Sequence, residues 1–315
     1  MKKIIKTFSD LTNVQKVLVL IILATISYGL SATIATSLFT KLSYMPAGSS
    51  SGVPSKDKTV PGASNIVTED PTQPKTEICP LNGSMHTKLA MESWIKRRPL
   101  AIMVENHTES RPQSGLTSAD VVYEAVAEGG ITRFMALFYC NLGDIQVGPV
   151  RSARTYFVDW LSEYDALYAH VGGANTPGPA DALSQIIKYK IKDLNQFSIG
   201  FPSFWRDYQR LGHPVATEHT MYSTTQKLWE VGAKRGWTAT DSAGIKWDVN
   251  FTSWKFKDAK VGAGAVAKIA VNFWESQNGY QVEWNYDSAT GTYKRKNGES
   301  AHMDLSCGCA TRERV

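Results

Sequence analysis

The chain contains one long apolar segment, which lies near the N-terminus. Residues 17–40 read VLVLIILATISYGLSATIATSLFT and carry no formal charge. As an α-helix this segment would be about 36 Å long, and a membrane hydrocarbon core is about 30 Å thick. More lysines precede the segment than follow it, which favours a cytoplasmic tail at 1–16 and a folded part outside. We therefore expect an uncleaved single-pass anchor at 17–40, with a cleaved signal peptide as the alternative.

The next segment, residues 41–78, shows neither helical nor strand periodicity. It is rich in Pro, Gly and Ser and poor in aromatic residues. A segment of this composition cannot bury enough apolar surface to fold. We expect a disordered linker that holds the folded part away from the membrane.

Strand and helix patterns alternate over residues 79–243. Short apolar runs at 97–106 and 168–175 predict buried strands. Apolar residues at helical spacing predict helices at 179–190 and 224–236. This alternation predicts an α/β domain with a mixed sheet and helices packed on it.

A Gly-Gly pair at 129–130 separates two apolar runs and favours a tight hairpin, with a helix through 120–128 as the alternative. In the hairpin, Val126 would face Arg133. Glu124 and Glu128 would then lie on the two diagonals of Arg133, within reach of its side chain. We therefore expect Arg133 to pair with carboxylates of its own sheet.

A further helix is predicted between residues 149 and 167. Its buried stripe would consist of Ala153, Phe157, Trp160, Leu161, Tyr164 and Leu167. Pro149 precedes the stripe, and proline is common in the first turn of a helix.

From about residue 245 the pattern changes to short strands separated by Asn-Gly or Gly-rich turns. This predicts a small antiparallel β-rich lobe at 244–306 that follows the α/β domain. Residues 307–315 form a polar tail where a further strand would be expected, so we expect a truncated end.

The net charge argues against nucleic acid as a partner. The chain of 315 residues has a formal charge of +5, and most of the excess comes from lysines around the N-terminal apolar segment. A nearly neutral folded part lacks the basic surface that phosphate-backbone binding requires.

Arg151 and Arg154 are the main candidates for ligand binding. No acidic residue lies three or four positions from either of them, so no helical salt bridge would neutralise them. Cations in the first turn of a helix oppose its dipole, and a helix N-terminus attracts anions. The pair therefore predicts a site for a carboxylate or phosphate. The alternative is structural, with Glu105, Glu124, Glu128 or Asp159 supplying the counter-charge.

The chain lacks the common catalytic and cofactor motifs. No nucleophile elbow, phosphate-binding loop or dinucleotide fingerprint is present, so no cofactor is expected. His213 and His219 do not have the spacing of a metal pair on one helical face, and we expect no metal. His170 is expected to be a partly buried histidine rather than a general base. An enzyme is not favoured, although Glu105, Glu124 and Glu128 could supply the carboxylate pair of a glycoside hydrolase.

Of the four cysteines, Cys79 and Cys140 are candidates for a disulfide, because an extracytoplasmic setting permits one. Two unconnected thiols are the alternative. Cys307 and Cys309 are too few and too close together to form a metal site by themselves.

Seven segments occur in the order typical of the YerB-like proteins, which are bacterial surface lipoproteins and anchored proteins built on a domain of unknown function. The segments are RPLAIMVEN, ESRPQSGLTSADVVYEA, EGGITRFMALF, VGPVRSARTYF, YAHVGGAN, FWRD and EHTMYST. The chain resembles this family strongly over 97–225 and more loosely to about 305. The residues that match are Glu105, Asn106, Arg111, Glu124, Glu128, Arg133, Arg151, Arg154, His170 and Arg206.

The resemblance implies an extracytoplasmic protein with an α/β N-terminal part and a smaller C-terminal part. It implies no reaction or ligand, so no catalytic residue follows from it. The chain departs from the family in lacking a cysteine for lipid attachment after the apolar segment.

The leading hypothesis is a membrane-anchored module that binds an anionic ligand of the cell envelope. Arg151 and Arg154 would be the principal contacts, with Arg111 and Arg206 as further candidates. Glu105, Asn106, Glu124, Glu128, Arg133 and His170 would form a supporting polar network. The alternatives are a cell-wall hydrolase that uses a carboxylate pair and a scaffold that binds another envelope protein.

Overall fold

The computed structural model describes residues 69–256, 266–276 and 278–314, together with the isolated residues 12 and 16. The predicted cytoplasmic tail, the apolar segment 17–40 and most of the predicted linker lie outside these ranges. Within them, no helix combines the length and the apolarity needed to cross a membrane. The described residues from Glu69 onward belong to one compact unit.

The regular elements of this unit are short. The strands are β1 (Lys75–Ile78), β2 (Met85–Thr87), β3 (Leu100–Glu105), β4 (Val121–Val126), β5 (Thr132–Phe138), β6 (Gln146–Val147), β7 (Leu167–His170), β8 (Lys192–Asn195), β9 (Phe204–Arg206), β10 (Met221–Thr224), β11 (Lys268–Asn272), β12 (Gln281–Asp287), β13 (Thr292–Asn297), β14 (Ser300–Ala301), β15 (Met303–Asp304), β16 (Cys309–Ala310) and β17 (Arg312–Arg314). The helices are α1 (Lys88–Trp94), α2 (Thr155–Leu161), α3 (Ala182–Lys188), α4 (Gln196–Ile199) and α5 (Thr225–Lys234).

The central sheet has five strands in the order β4-β5-β3-β7-β8. The ladders β4-β5 and β5-β3 are antiparallel, and the ladders β3-β7 and β7-β8 are parallel. Strands β3 and β5 are buried along their whole length, as expected for strands covered on both faces. The predicted mixed-sheet α/β fold is confirmed.

Each face of the central sheet carries its own core. On one face, residues such as Met103 and Tyr168 pack against Phe157 and Leu161 of α2 and against Ile186 of α3. On the other face, strand residues pack against α5 and against a small antiparallel sheet of β6, β10 and β9. Alternate residues of β3 therefore contribute to different cores, which is the two-residue periodicity of a strand.

The predicted hairpin forms, but its register differs by one residue from the prediction. Ala125, not Val126, lies opposite Arg133. The N–H of Ala127 donates to the carbonyl oxygen of Ile131 at 2.7 Å, so three residues form the loop instead of two. Because a shift of one residue moves a side chain to the other face of a sheet, Glu124 lies on the face opposite to Arg133. The expectation that Glu124 pairs with Arg133 is wrong.

The predicted helix after Pro149 is shorter than expected. Helix α2 begins at Thr155, and Arg154 is its N-cap residue in an extended conformation. Arg151 lies before the helix, where its N–H donates to the carbonyl oxygen of Met103 at 2.9 Å. Leu167 belongs to β7 and not to the helix. The two arginines therefore do not share a helical face, because Arg151 pairs with the backbone of β3 and is not part of the helix.

The C-terminal region forms antiparallel sheets, as predicted. Strands β11 to β14 form one sheet, in which β17 also pairs with β13, and β15 pairs with β16. The predicted polar tail at 307–315 thus contributes strands. The predicted boundary at residue 244 precedes a segment whose Trp247 packs in the core of the α/β domain. The end of the predicted linker also differs, since Lys75–Ile78 forms β1 on β2.

Candidate functional site

A cavity lies at the carboxyl ends of the parallel strands. Strand β7 ends at His170, and its continuation through Val171 and Gly172 forms one wall of this cavity. Ligands of open α/β sheets bind in the crevice at this end of the strands. The cavity has a volume of about 590 Å³. It is lined by Val150, Arg151, Ser152, Val171, Gly172, Gly173, Asn175, Leu183, Phe197, Arg206, Thr217, Glu218 and Met221.

Arg151 is held by its backbone and leaves the end of its side chain free. Its carbonyl oxygen accepts from the N–H of Val171 at 3.0 Å, which ties the segment to the end of β7. Nε of Arg151 lies 3.2 Å from Oε1 of the buried Glu105. Nη1 and Nη2 have no hydrogen-bond partner among the described residues. The guanidinium can therefore donate two hydrogen bonds to a ligand in the cavity.

Arg206 supplies a second positive charge to the same cavity. Its Nη1 donates to the carbonyl oxygen of Thr217 at 2.5 Å and to Oγ1 of Thr220 at 3.2 Å. These bonds direct the guanidinium along the wall that also carries Glu218. The cavity thus contains two arginines and one carboxylate.

Two adjacent glycines line the cavity. Gly172 has φ of +56°, and a Cβ atom there would lie 2.8 Å from the ring of Phe197. At Gly173 a Cβ atom would lie 2.8 Å from the end of the Leu183 side chain and 3.2 Å from Cβ of Ala153. Without side chains, these two residues let the backbone come close to the cavity.

The structure places the other two candidate arginines elsewhere. Arg154 pairs with Glu128, and its Nη1 donates to the carbonyl oxygen of Ala153 at 2.6 Å. Arg111 borders a different cavity of about 550 Å³, next to the C-terminal strands. It donates to the side chain and the carbonyl oxygen of Asn106 and to the carbonyl oxygen of Gly279. Burial lowers the pKa of Arg111 and Arg154 from the usual arginine value.

The predicted polar network divides into two parts. Arg133 donates to Glu128 at 2.8 Å and to the carbonyl oxygen of Ser152 at 2.8 Å, and burial lowers its pKa to about 10. Glu124 instead accepts from Thr132 at 2.7 Å and from Arg295 at 2.6 Å. Asn106 is also a donor to Glu124, at 3.3 Å.

These contacts can be compared with two alternatives from the sequence, a structural role for the arginines and a hydrolase with a carboxylate pair. Glu105 and Glu128 are the counter-charges of Arg151 and Arg154, as the structural alternative expects, although Arg151 still faces the cavity. Glu124 and Glu128 do not face each other across a shared space, since different arginines hold them. This geometry does not favour a carboxylate pair for hydrolysis.

His170 is fully buried, with both ring nitrogens occupied. Nδ1 lies 2.7 Å from the carbonyl oxygen of Gly172, and Nε2 lies 2.8 Å from Oδ1 of Asp193. Protein oxygens thus flank both ring nitrogens, and His170 is not among the residues that line the cavity.

Two residues of the cavity were not among the predicted site residues. Phe197 comes from the short helix α4, and Glu218 comes from a 3-10 turn before β10. Phe197 lies outside the family segments, and Glu218 begins the segment EHTMYST. Only the fold brings the two residues to Arg151.

The comparisons with known proteins agree with the motif order. Residues 86–238 match the family model described as "Protein of unknown function (DUF3048) N-terminal domain". Over 214 residues the chain is 34% identical to "Putative lipoprotein YerB" of Bacillus subtilis strain 168. The chain belongs to the YerB-like family. The match covers 68% of this chain and 59% of the length of that relative.

The solved structure of YerB from Bacillus subtilis has the same fold. The TM-score is 0.61 at 28% sequence identity, over 75% of this chain and 72% of the YerB chain. The family description names no activity, so the site must be interpreted from its own geometry.

This YerB-like chain contains two disulfides. Cys79 and Cys140 are bonded, with Cα atoms 5.9 Å apart. Beside them Asp120 accepts from the N–H groups of Tyr139 and Cys140, and burial raises its pKa. Cys307 and Cys309 are also bonded to each other.

Proposed function

We propose that the protein binds an anionic group of the cell envelope in the cavity at the carboxyl ends of β3, β7 and β8. The ligand group would be a carboxylate of the peptidoglycan peptides or a phosphate of the wall. The observation that carries the proposal is the guanidinium of Arg151, whose terminal nitrogens have no hydrogen-bond partner among the described residues. Arg206 adds a second donor group in the same cavity.

The proposal assigns different roles to the four candidate arginines. Arg151 and Arg206 contact the ligand. Arg154 and Arg111 hold the surrounding structure, because their donor groups are used by Glu128, Asn106 and Gly279. Neither Arg154 nor Arg111 lines the cavity, whereas Arg151 and Arg206 do.

The proposed location is the outer face of the cell membrane. The name of the Bacillus subtilis relative describes a lipoprotein, a class of protein tethered to membranes. In this chain the apolar segment 17–40 would serve as the tether, with the N-terminus in the cytoplasm and the folded unit outside. The ligand would then be within reach of the cavity.

Retention of the full chain on purified sacculi tests the proposal. We expect retention at low salt that decreases as salt rises, because added ions screen the arginines. The Arg151→Gln/Arg206→Gln variant should lose retention. The Lys188→Gln/Lys234→Gln variant removes the same charge from exposed positions outside the cavity and should be retained.

The source of the anionic group is tested with sacculi stripped of phosphate polymers by acid. Retention that survives stripping identifies a peptide carboxylate, and retention that disappears identifies a wall phosphate. No retention of the unmodified chain on either preparation would refute the proposal. A protein partner trapped by cross-linking, without sacculus binding, would favour the scaffold alternative.

A further inference from the structure

A second cluster of polar side chains lies beside the cavity without lining it. His107 and Glu109 follow β3 in the chain, and His219 ends the 3-10 turn Thr217–His219. One possible ligand atom from each of the three residues lies within 4.8 Å of the other two. The rings of His107 and His219 are stacked, with centroids 5.0 Å apart.

One nitrogen of His219 is fixed by a buried carboxylate. Nδ1 lies 2.8 Å from Oε2 of Glu105, and the two side chains are only 4% and 6% exposed. The carboxylate of Glu105 also pairs with Arg151, so it is the acceptor and Nδ1 carries the proton. A carboxylate that holds one nitrogen in this way is what orients a metal-binding histidine.

The other nitrogen of His219 faces a second carboxylate. Nε2 lies 3.4 Å from Oε2 of Glu109. An imidazole whose Nδ1 donates to a carboxylate can bind a metal ion through Nε2, and a carboxylate oxygen is also a metal ligand. Nε2 of His219 and Oε2 of Glu109 therefore offer two ligand atoms to one point.

The distance between these two atoms suits a shared metal ion. Two ligand atoms that each lie about 2.1 Å from a tetrahedral zinc ion are about 3.4 Å apart. Nε2 of His219 and Oε2 of Glu109 have this spacing.

We propose that His107, Glu109 and His219 form a binding site for Zn²⁺, with Glu105 orienting His219. Imidazole and carboxylate ligands suit this ion. To bind, His107 gives up the hydrogen bond that its Nδ1 accepts from the N–H of Glu109 at 3.2 Å. The side chain of Glu109 is 68% exposed, so the ion can enter from solvent. Three protein ligands leave a fourth position for water or a ligand.

The other candidate metal cluster does not compete. It consists of Cys79, Asp120 and Cys140, and its two sulfur atoms are bonded to each other. Thiolates are therefore not available there. His213, whose spacing from His219 does not predict a metal pair, is exposed and lies outside the cluster.

Metal titration of the untagged full chain tests this site. After removal of metal with a chelator, we expect one Zn²⁺ per chain by calorimetry and one Co²⁺ per chain with the visible absorption of a low-symmetry site. His107→Asn and Glu109→Gln should each weaken binding at least tenfold. Because His107 is half-buried and Glu109 exposed, both variants should fold, which thermal midpoints without metal will verify. His213→Asn is the matched histidine control and should bind as the unmodified chain does.

Two results would overturn the proposal. One is the absence of one-to-one binding of Zn²⁺ by the unmodified chain. The other is equal affinity in the unmodified chain, His107→Asn and Glu109→Gln, which would place the ion elsewhere. Neither result depends on sacculus binding, so this test and that of the anion cavity are independent.

Discussion

One buried arginine links the C-terminal sheet to the α/β domain. The side chain of Arg295 on β13 is 3% exposed, and that of its partner Glu124 on β4 is 12% exposed. Arg295 also donates to Oδ1 of Asn297 at 2.6 Å and contacts His302. Its guanidinium lies over the ring of Phe134, 5.3 Å from the centroid.

Replacement of this arginine should destabilise the whole unit. In Arg295→Gln the carboxylate of Glu124 would remain buried without its cation, and loss of one partner of a buried pair costs about 3–5 kcal/mol. For a unit of this size each kcal/mol lowers the thermal midpoint by about 2–4 °C. The expected decrease in the midpoint is therefore about 6–20 °C, measured by circular dichroism.

The neighbouring residue provides the control. Lys294 pairs with Asp287 at 2.8 Å, but its side chain is 48% exposed. A surface pair contributes about 0–1 kcal/mol, so Lys294→Gln should lower the midpoint by less than about 4 °C. If Arg295→Gln lowers it no further than Lys294→Gln does, the buried pair does not hold the C-terminal sheet.

Two further predictions concern stability. Burial and nearby arginines lower the pKa of His302 to about 2 in the folded chain, from about 6.5 in the unfolded chain. Below about pH 6.5 the unfolded chain therefore binds more protons, and stability decreases as the pH decreases. Between pH 7.5 and 5.0 the titration of His302 should lower the free energy of unfolding by about 2 kcal/mol. Urea melts should show this loss in the unmodified chain but not in His302→Asn. An equal loss in both would contradict the assignment. The second prediction is that replacing Cys79 and Cys140 by Ala costs about 4 kcal/mol, because the bond closes a long loop. Replacing Cys307 and Cys309, which lie two residues apart, should cost far less, and equal costs in urea melts would contradict the loop argument.

The periodicity of the sequence was sufficient for the architecture but not for its details. Alternating strands and helices predicted the mixed sheet, and the Gly-Gly pair at 129–130 predicted the hairpin. The register depended on one additional loop residue, which no pattern of apolar residues reveals. That single residue decides whether Glu124 meets Arg133 or Arg295.

The site was predictable in part for the same reason. Arg151 and Arg206 were candidates because of their residue type and the family motifs. The apolar stripe led to the expectation of a helix that included Arg151, but backbone partners on β3 and β7 hold this residue in an extended segment. The contacts of Glu105 with Arg151 and His219 join segments that are far apart in the chain, so only the fold brings them together.

The most direct measurement of the central claim is arginine footprinting of the unmodified full chain. Phenylglyoxal modification, followed by mass spectrometry, would be compared with and without sacculi. We predict that sacculi protect Arg151 and Arg206, while Arg235, which is exposed and does not line this cavity, reacts equally in both samples. Equal reactivity of Arg151 with and without sacculi would contradict the account.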